Sequence, residues 1–151
     1  MKISNLLEKD LIKLETESEN KSGILKEMIS LLFKTGKLKD TEEFYQTIQA
    51  REEKGSTGVG NGVAIPHGQS DTVVEPALVF VKSEVGIDFD SRDGKPAKIF
   101  FMIAVPEGGS NDHLSVLSKL SRKLMHQDFR EDLLAAESKE KILEIVEEEK
   151  I

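Results

Sequence analysis

The chain has 151 residues, contains no cysteine and carries a formal net charge of −7 at pH 7. The lack of cysteine excludes disulfides, thiol nucleophiles and cysteine-ligated zinc or iron–sulfur centres, and the negative charge is the wrong sign for binding the phosphate backbone of nucleic acids. The longest unbroken apolar run, Ile99 to Val105, is far shorter than the roughly 20 residues of a membrane-spanning helix. We therefore expect one domain, residues 1–151, in the cytoplasm, without membrane insertion and without a nucleic-acid partner.

Two helices are predicted in the first third of the chain, after a brief strand around Leu11 to Leu14. Apolar residues recur at helical spacing from Ser22 to Gly36, which predicts a core-packing helix with Ser22 as its N-cap and Gly36 at its end. A second helix is expected to begin at Asp40 or Thr41 and to end at Gly55, because Asp40 is a good cap and two glutamates follow it.

The middle of the chain has the composition of strands. Two apolar runs, Ala77 to Val81 and Ile99 to Val105, predict buried strands. Between them, Ile87 to Phe89 predicts a connection or short edge strand, followed by a turn at Asp93 and Gly94.

The last third of the chain is predicted to be helical. A helix capped by Asn111 or Asp112 should carry a stripe of leucines, and two shorter helices should follow, over Phe129–Ala136 and after a Ser138 cap. The stripe consists of Leu114, Leu117, Leu120 and Leu124. The order of elements predicts an α/β fold, in which a small mixed parallel/antiparallel β-sheet is flanked by α-helices.

The stretch from Arg51 to Gly68 concentrates the features that can carry chemistry. Four glycines stand at positions 55, 58, 60 and 62, so the backbone can adopt positive φ angles and leave N–H groups open to an anion. A short strand from Val63 to Ile65 should then stop at Pro66. We expect this arrangement to present His67 at a strand end, beside a loop suited to oxyanions.

Arg51 is spaced with Phe44 and Ile48 so that it lies on the apolar side of the second helix. Two interpretations remain open. The side chain either covers apolar surface or caps the last carbonyls of its helix, or it supplies positive charge to an anion site, since it stands just ahead of the glycine loop.

The two other histidines are His113 and His126. His113 falls in the first turn of the predicted leucine-rich helix, where the helix dipole favours a neutral ring that can donate a hydrogen bond to a phosphoryl oxygen. A structural role at the helix N-terminus is the alternative. His126 stands at the end of the same helix and is interpreted as structural or exposed.

Other kinds of site fit this sequence poorly. The glycine loop lacks the ending of a P-loop, and it follows a helix where a dinucleotide fingerprint should follow a strand. There is no G-x-S-x-G nucleophile elbow, and the three histidines lack the spacing of a metal site. What remains is a histidine that handles an anion, with Arg51 and the loop N–H groups around it.

Several segments resemble the enzyme IIA domain of the bacterial phosphoenolpyruvate-dependent sugar phosphotransferase system, fructose and mannitol type, including its nitrogen-regulatory branch. They are Arg51 with Glu52, GSTGVGNGVAIPHG at 55–68, RDGKPAKIFFMIAVP at 92–106 and NDHL at 111–114. The resemblance covers about Ile3 to Glu147 and implies that family's fold of a mixed sheet flanked by helices.

The resemblance also implies a function. A histidine accepts a phosphoryl group from the carrier protein HPr and passes it to an enzyme IIB domain. Carried over by position, the phosphorylated residue is His67, and His113 and Arg51 match the family's second site histidine and site arginine. With loop N–H groups at Gly60, Asn61 and Gly62, these donors would hold the phosphoryl oxygens, so no nucleotide, cofactor or metal is expected.

Two roles share this chemistry. The chain is expected to serve fructose- or mannitol-type sugar uptake, and the alternative is a nitrogen-type regulatory protein whose phosphorylation state controls its binding to other proteins. In mannitol-type members a carboxylate stands at the place of Asn61, so the asparagine favours the fructose or nitrogen-regulatory branch.

Overall fold

A computed structural model of the chain describes residues 2–108, 111 and 113–147, with the backbone alone at 113. The helices are α1 (Lys21–Lys34), α2 (Thr41–Glu53), α3 (His113–Leu124), α4 (Gln127–Ala135) and α5 (Lys139–Glu147). The strands are β1 (Ile12–Lys13), β2 (Gly58–Gly60), β3 (Val63–Ala64), β4 (His67–Gln69), β5 (Ala77–Ile87) and β6 (Ala97–Val105). Short 3₁₀ turns at Ile3–Asn5 and Lys9–Leu11 precede β1.

The strands form one mixed sheet in the order β1, β5, β6, β3, β2, with β4 also pairing with β6. The β5–β6 and β2–β3 pairs are antiparallel, whereas β1–β5, β3–β6 and β4–β6 are parallel. Thus β3 and β4 lie one after the other along the same edge of β6, separated by two residues. The predicted mixed α/β fold is confirmed.

The two central strands form the core of the sheet, as their apolar composition predicts. Every residue of β6 except Lys98 is buried, and so are the first seven residues of β5, the pattern of strands covered on both faces. The rings of Phe80 and Phe101 pack 5.0 Å apart between their centroids. Both strands are longer than predicted, and Ile87 belongs to β5 instead of forming a separate edge strand.

Capping residues set the ends of the first two helices. The Asp40 side chain accepts a hydrogen bond from the N–H of Glu43, 3.1 Å away, so the predicted start of α2 is confirmed. The predicted N-cap of α1 is wrong: Asn20 caps it by accepting from the N–H of Gly23 at 2.7 Å, and Ser22 lies inside the first turn. An asparagine two residues earlier competes well for this position.

The predicted stripe of α3 is partly wrong. Leu120 and Leu124 are buried, but Leu114 is 53% exposed and Val116 is buried. The buried face of α3 is therefore rotated from the predicted one, and the face that carries Leu117 lines the cavity next to His67. Ser138 caps α5 as predicted, since its hydroxyl accepts from the N–H of Lys141 at 3.1 Å.

A buried lysine joins the sheet to the helical layer. Lys82 of β5 reaches the C-terminal end of α4, where its ammonium donates to the carbonyl oxygens of Leu133 and Leu134, each at 3.0 Å, and to that of Ala136. A cation suits the carbonyl end of a helix. The contact therefore fixes α4 against the middle of the sheet.

A second polar cluster joins α1 to β1 and to the segment between them. The Glu27 carboxylate accepts hydrogen bonds from the hydroxyls of Thr16 and Ser18 and is ion-paired with Lys13. Burial acts to raise the pKa of Glu27, but the hydrogen bonds from Lys13, Thr16 and Ser18 outweigh it, so the pKa lies below its ordinary value.

None of the helices in the described part of the chain is long and apolar enough to span a membrane.

Candidate phosphoryl-transfer site

His67 lies beside the middle of the sheet, at the first residue of β4. Pro66, which has no N–H, interrupts the edge between β3 and β4, and its carbonyl accepts from the N–H of Ile103 at 2.9 Å. His67 then pairs with Ile103 in parallel register. The sequence placed the histidine at the end of a strand, and the structure places it at the start of the next one.

The imidazole of His67 is held in one orientation by its own turn. Its Nδ1 lies 3.0 Å from the carbonyl oxygen of Ile65. Since a carbonyl can only accept, the hydrogen bond requires the proton on Nδ1 and leaves a lone pair on Nε2. The half-buried ring is therefore set to act as a nucleophile through Nε2.

Gly68 allows α2 to approach this turn. A Cβ at position 68 would lie 3.0 Å from Cδ1 of Ile48 and 3.3 Å from Cε1 of Phe44. The missing side chain therefore leaves room for the apolar face of α2, and this contact positions the helix, and hence Arg51 in its last turn, near His67.

His67 opens into a cavity of about 410 Å³. Its walls come from the end of α2, the glycine-rich segment, the turn before β6 and one face of α3. The lining residues are Arg51, Ser56, Thr57, Val59, Ile65, His67, Arg92, Leu117, Ser118 and Ser121. The cavity thus combines one imidazole, two guanidinium groups and several hydroxyls with apolar walls.

Arg51 combines the two interpretations that the sequence left open. Its Nη1 donates to the carbonyl oxygen of Gly55, 2.9 Å away, which caps the segment just after α2. The same half-buried side chain lines the cavity with His67. The carbonyl engages one of the five N–H donors of a guanidinium, so the contact orients the fork and leaves other donors for an anion.

Glu52 anchors the segment that supports His67. Its carboxylate, with only 6% of the side chain exposed, is ion-paired with Nζ of Lys21 at 2.9 Å and accepts from the N–H of Thr57 at 3.1 Å and from the Thr57 hydroxyl. The carbonyl of Thr57 in turn accepts from the N–H of Ile65 at 3.0 Å. A chain of hydrogen bonds therefore runs from α1 to the residue that holds Nδ1 of His67.

The loop that the sequence predicted to bind an anion does not line this cavity. Gly60 ends β2, and Asn61 and Gly62 form the turn of the β2–β3 hairpin. All three have positive φ, and none of them lines the cavity. The N–H of Asn61 donates to the carboxylate of Asp93 at 3.1 Å. Hydrogen bonds from the N–H groups of Lys95 and Asn61 lower the pKa of Asp93. The hairpin turn thus binds an anion, but that anion is a side chain of the same protein.

His113 is the first residue of α3, and its side chain lies outside the described residues. Leu117 and Ser121, four and eight positions further along α3, both line the cavity, so position 113 falls on the same helical face. His126 is exposed at the N-cap of α4, away from the cavity. The predicted cap Asp112 also lies outside the described residues.

The sequence did not single out Arg92, Ser118 or Ser121. Arg92 stands in the turn before β6, and its N–H donates to the carbonyl of Gly58 at 3.0 Å. The Ser118 hydroxyl accepts from Nη1 of Arg122 at 2.7 Å, so its own proton is free to point to another acceptor. Within the described ranges, no group of three or more His, Cys, Asp or Glu side chains is placed to hold a metal ion.

Comparison with known proteins identifies the type of domain. The sequence model described as "Phosphoenolpyruvate-dependent sugar phosphotransferase system, EIIA 2" matches residues 5–149. The chain belongs to this family. The PTS system fructose-specific EIIA component of Haloferax volcanii is 43% identical over 97% of the chain and 95% of that protein. The expected family and the phosphotransferase fold are thereby confirmed.

Two further relatives of this EIIA domain differ in context. The PTS system fructose-specific EIIABC component of Bacillus subtilis is 46% identical over 97% of the chain, which spans only 23% of that longer protein. The crystal structure of nitrogen regulatory protein IIA-Ntr from Neisseria meningitidis superposes with a TM-score of 0.88 at 35% identity, covering 95% of the chain and 98% of that structure. Sugar-transport and regulatory proteins therefore both occur among its relatives.

Proposed function

We propose that the domain accepts a phosphoryl group on Nε2 of His67 and passes it to a second protein. The observation that carries this proposal is the hydrogen bond between Nδ1 and the Ile65 carbonyl, because it leaves the Nε2 lone pair as the reactive site of the ring. Family membership supports the same assignment.

The transfer balances without a co-reactant. The Nε2 lone pair of His67 forms a bond to phosphorus, and the N–P bond of a protonated donor phosphohistidine breaks, returning its electron pair to the donor ring. The donor becomes a neutral imidazole, while His67 keeps its Nδ1 proton and carries the phosphoryl group. The Ile65 carbonyl, 3.0 Å from Nδ1, stabilises the positive charge that this ring then carries.

Arg51 and His113 are proposed to hold the phosphoryl oxygens. Arg51 supports this role by its position in the cavity and by donors that remain beyond its contact with Gly55. For His113 the support is the resemblance and the helical face on which position 113 lies. Gly60, Asn61 and Gly62 are left out, because the N–H of Asn61 is already engaged by Asp93.

The proposed donor is HPr and the proposed acceptor is an enzyme IIB domain of fructose-type uptake. The fructose-specific relatives, 46% and 43% identical, favour this role over nitrogen-type regulation. The regulatory alternative is kept because of the structural match to IIA-Ntr. A cytoplasmic location stays a prediction.

The experiment is a labelling assay with ³²P-phosphorylated HPr. Wild type should accept label in an acid-labile form, and His67→Ala should accept none. His126→Ala is the matched control, since it removes an exposed histidine away from the cavity. Stoichiometric labelling of His67→Ala would contradict the proposal.

The acceptor separates the two roles. Labelled protein should transfer its phosphoryl group rapidly to a fructose-type IIB domain if the chain serves transport. If the label is accepted from HPr but passes to none of a panel of sugar-specific IIB domains, the regulatory role is supported instead.

A further inference from the structure

A second guanidinium shares the cavity with His67. Arg92 and Arg51 both line this space, although they are 41 residues apart in sequence. The backbone of Arg92 is fixed by the hydrogen bond from its N–H to the Gly58 carbonyl, 3.0 Å away. Its exposed side chain therefore starts from a defined point on the cavity wall.

The turn that carries Arg92 is held firmly against β2. A Cβ on Gly58 would lie 2.9 Å from the Cα of Ser91, so the two backbones meet in a contact that only glycine permits. The hydroxyl of Ser56 donates to the carbonyl of Phe89 at 2.7 Å, and Asn61 donates to Asp93. Three separate contacts thus hold the turn on both sides of Arg92.

The carboxylates next to Arg92 are committed elsewhere. Asp93 accepts from the N–H groups of Asn61 and Lys95, at 3.1 and 3.0 Å, and these bonds lower its pKa. Asp90 lies 3.5 Å from Nζ of Lys21. Within the described part of the chain the guanidinium of Arg92 has no hydrogen bond or ion pair, so its charge is available to a ligand at the cavity.

A phosphoryl group on His67 presents three oxygens, and one guanidinium fork binds two oxygens at once. Negative charge spreads over three oxygens in the transferred group, one N–H of Arg51 is engaged by Gly55, and the hairpin turn does not line the cavity. Resting on the function proposed above, we propose that Arg92 is a further catalytic residue that binds the phosphoryl oxygens directly. A planar guanidinium suits this task because it can bind two oxygens at once.

The test compares two phosphoryl donors. One is phospho-HPr, and the other is phosphoramidate, a small molecule that phosphorylates histidine without a protein surface. Single-turnover acceptance by Arg92→Gln should be about ten- to hundredfold slower than wild type with both donors, as expected for loss of a charge-assisted contact in the transition state. Arg92→Lys should recover part of the rate because it keeps the positive charge, but not all of it because it lacks the planar guanidinium that binds two oxygens at once.

Lys95→Gln is the matched control, since Lys95 is an exposed cation of the same turn that does not line the cavity. It should accept phosphate at the wild-type rate from either donor. The thermal midpoint of Arg92→Gln should equal that of wild type, because the replaced side chain is exposed and makes no contact that the fold needs.

The outcomes are distinguishable. A wild-type rate for Arg92→Gln with phosphoramidate overturns the assignment, and if that variant is slow only with phospho-HPr, Arg92 binds the partner protein instead. Equal slowing by Lys95→Gln would also overturn it, because the overall positive charge of the turn, and not a direct contact from Arg92, would then explain the slower rate. If wild type accepts from neither donor, the proposed function itself fails.

Discussion

Replacing Glu52 with Gln tests the hydrogen-bond chain that supports His67. The substitution keeps the size of the side chain but removes its negative charge. Only 6% of the Glu52 side chain is exposed, and its carboxylate lies 2.9 Å from Nζ of Lys21. A hydrogen bond to a charged group contributes about 1.5–3 kcal/mol, and breaking a fully buried ion pair costs about 3–5 kcal/mol. Since Lys21 retains 21% exposure and solvent screens the pair, we expect a loss of about 2–3 kcal/mol in the free energy of unfolding.

Thermal unfolding followed by circular dichroism measures this loss. A loss of 1 kcal/mol lowers the midpoint of a domain of this size by about 2–4 °C, so Glu52→Gln should unfold about 4–12 °C below wild type. Glu53→Gln is the control, because the neighbouring glutamate is exposed and ends the same helix. If both variants unfold within about 2 °C of each other, which corresponds to about 0.5–1 kcal/mol, Glu52 does not anchor the segment that supports His67.

Two further predictions concern the fold around the site. Lys82→Met should lose about 1–3 kcal/mol of unfolding free energy in urea titrations, because it removes the ammonium that donates to three carbonyls at the end of α4, whereas exposed Lys98→Met should change little. Glu27→Gln should be less stable than wild type at pH 7, and the difference should shrink as the pH falls below 4.5: the pKa of Glu27 is lowered in the folded state, so the stabilisation is fully present above the ordinary value of 4.5 and is lost as the pH falls through the lowered one. A difference that stays constant throughout an acid titration, down to acid unfolding, would contradict the assignment to the ionised form.

Local patterns were sufficient for much of the fold. The buried strands β5 and β6 follow from continuous apolar runs, and Asp40 caps α2 because its side chain needs only the N–H groups of its own first turn. The start of α1 was misplaced because Asn20 and Ser22 are both acceptable caps, and only the geometry chooses between them. The exposure of Leu114 was missed because helical spacing does not say which neighbour covers each face.

The candidate site depends on contacts that are distant in sequence. Asn61 and Asp93 are 32 positions apart, and nothing local indicates that a carboxylate would occupy the N–H of the hairpin turn. Arg92 reaches the cavity only because the turn before β6 packs on Gly58. The tautomer of His67 depends on a local contact, to the carbonyl of Ile65; the sequence predicted the strand break at Pro66 but did not identify this contact.

These contacts explain how a chain of net charge −7 can offer a positive cavity. Among the described residues that line the cavity there are two arginines, Arg51 and Arg92, and no Asp or Glu. Glu52, near the end of α2, is ion-paired with Lys21. Arg51 has only a neutral carbonyl, that of Gly55, as its hydrogen-bond partner among the described residues. Because a neutral acceptor leaves the charge of a guanidinium uncompensated, the two arginines give the cavity a local excess of positive charge, and exposed acidic groups farther away than a Debye length of about 8–10 Å are largely screened from it.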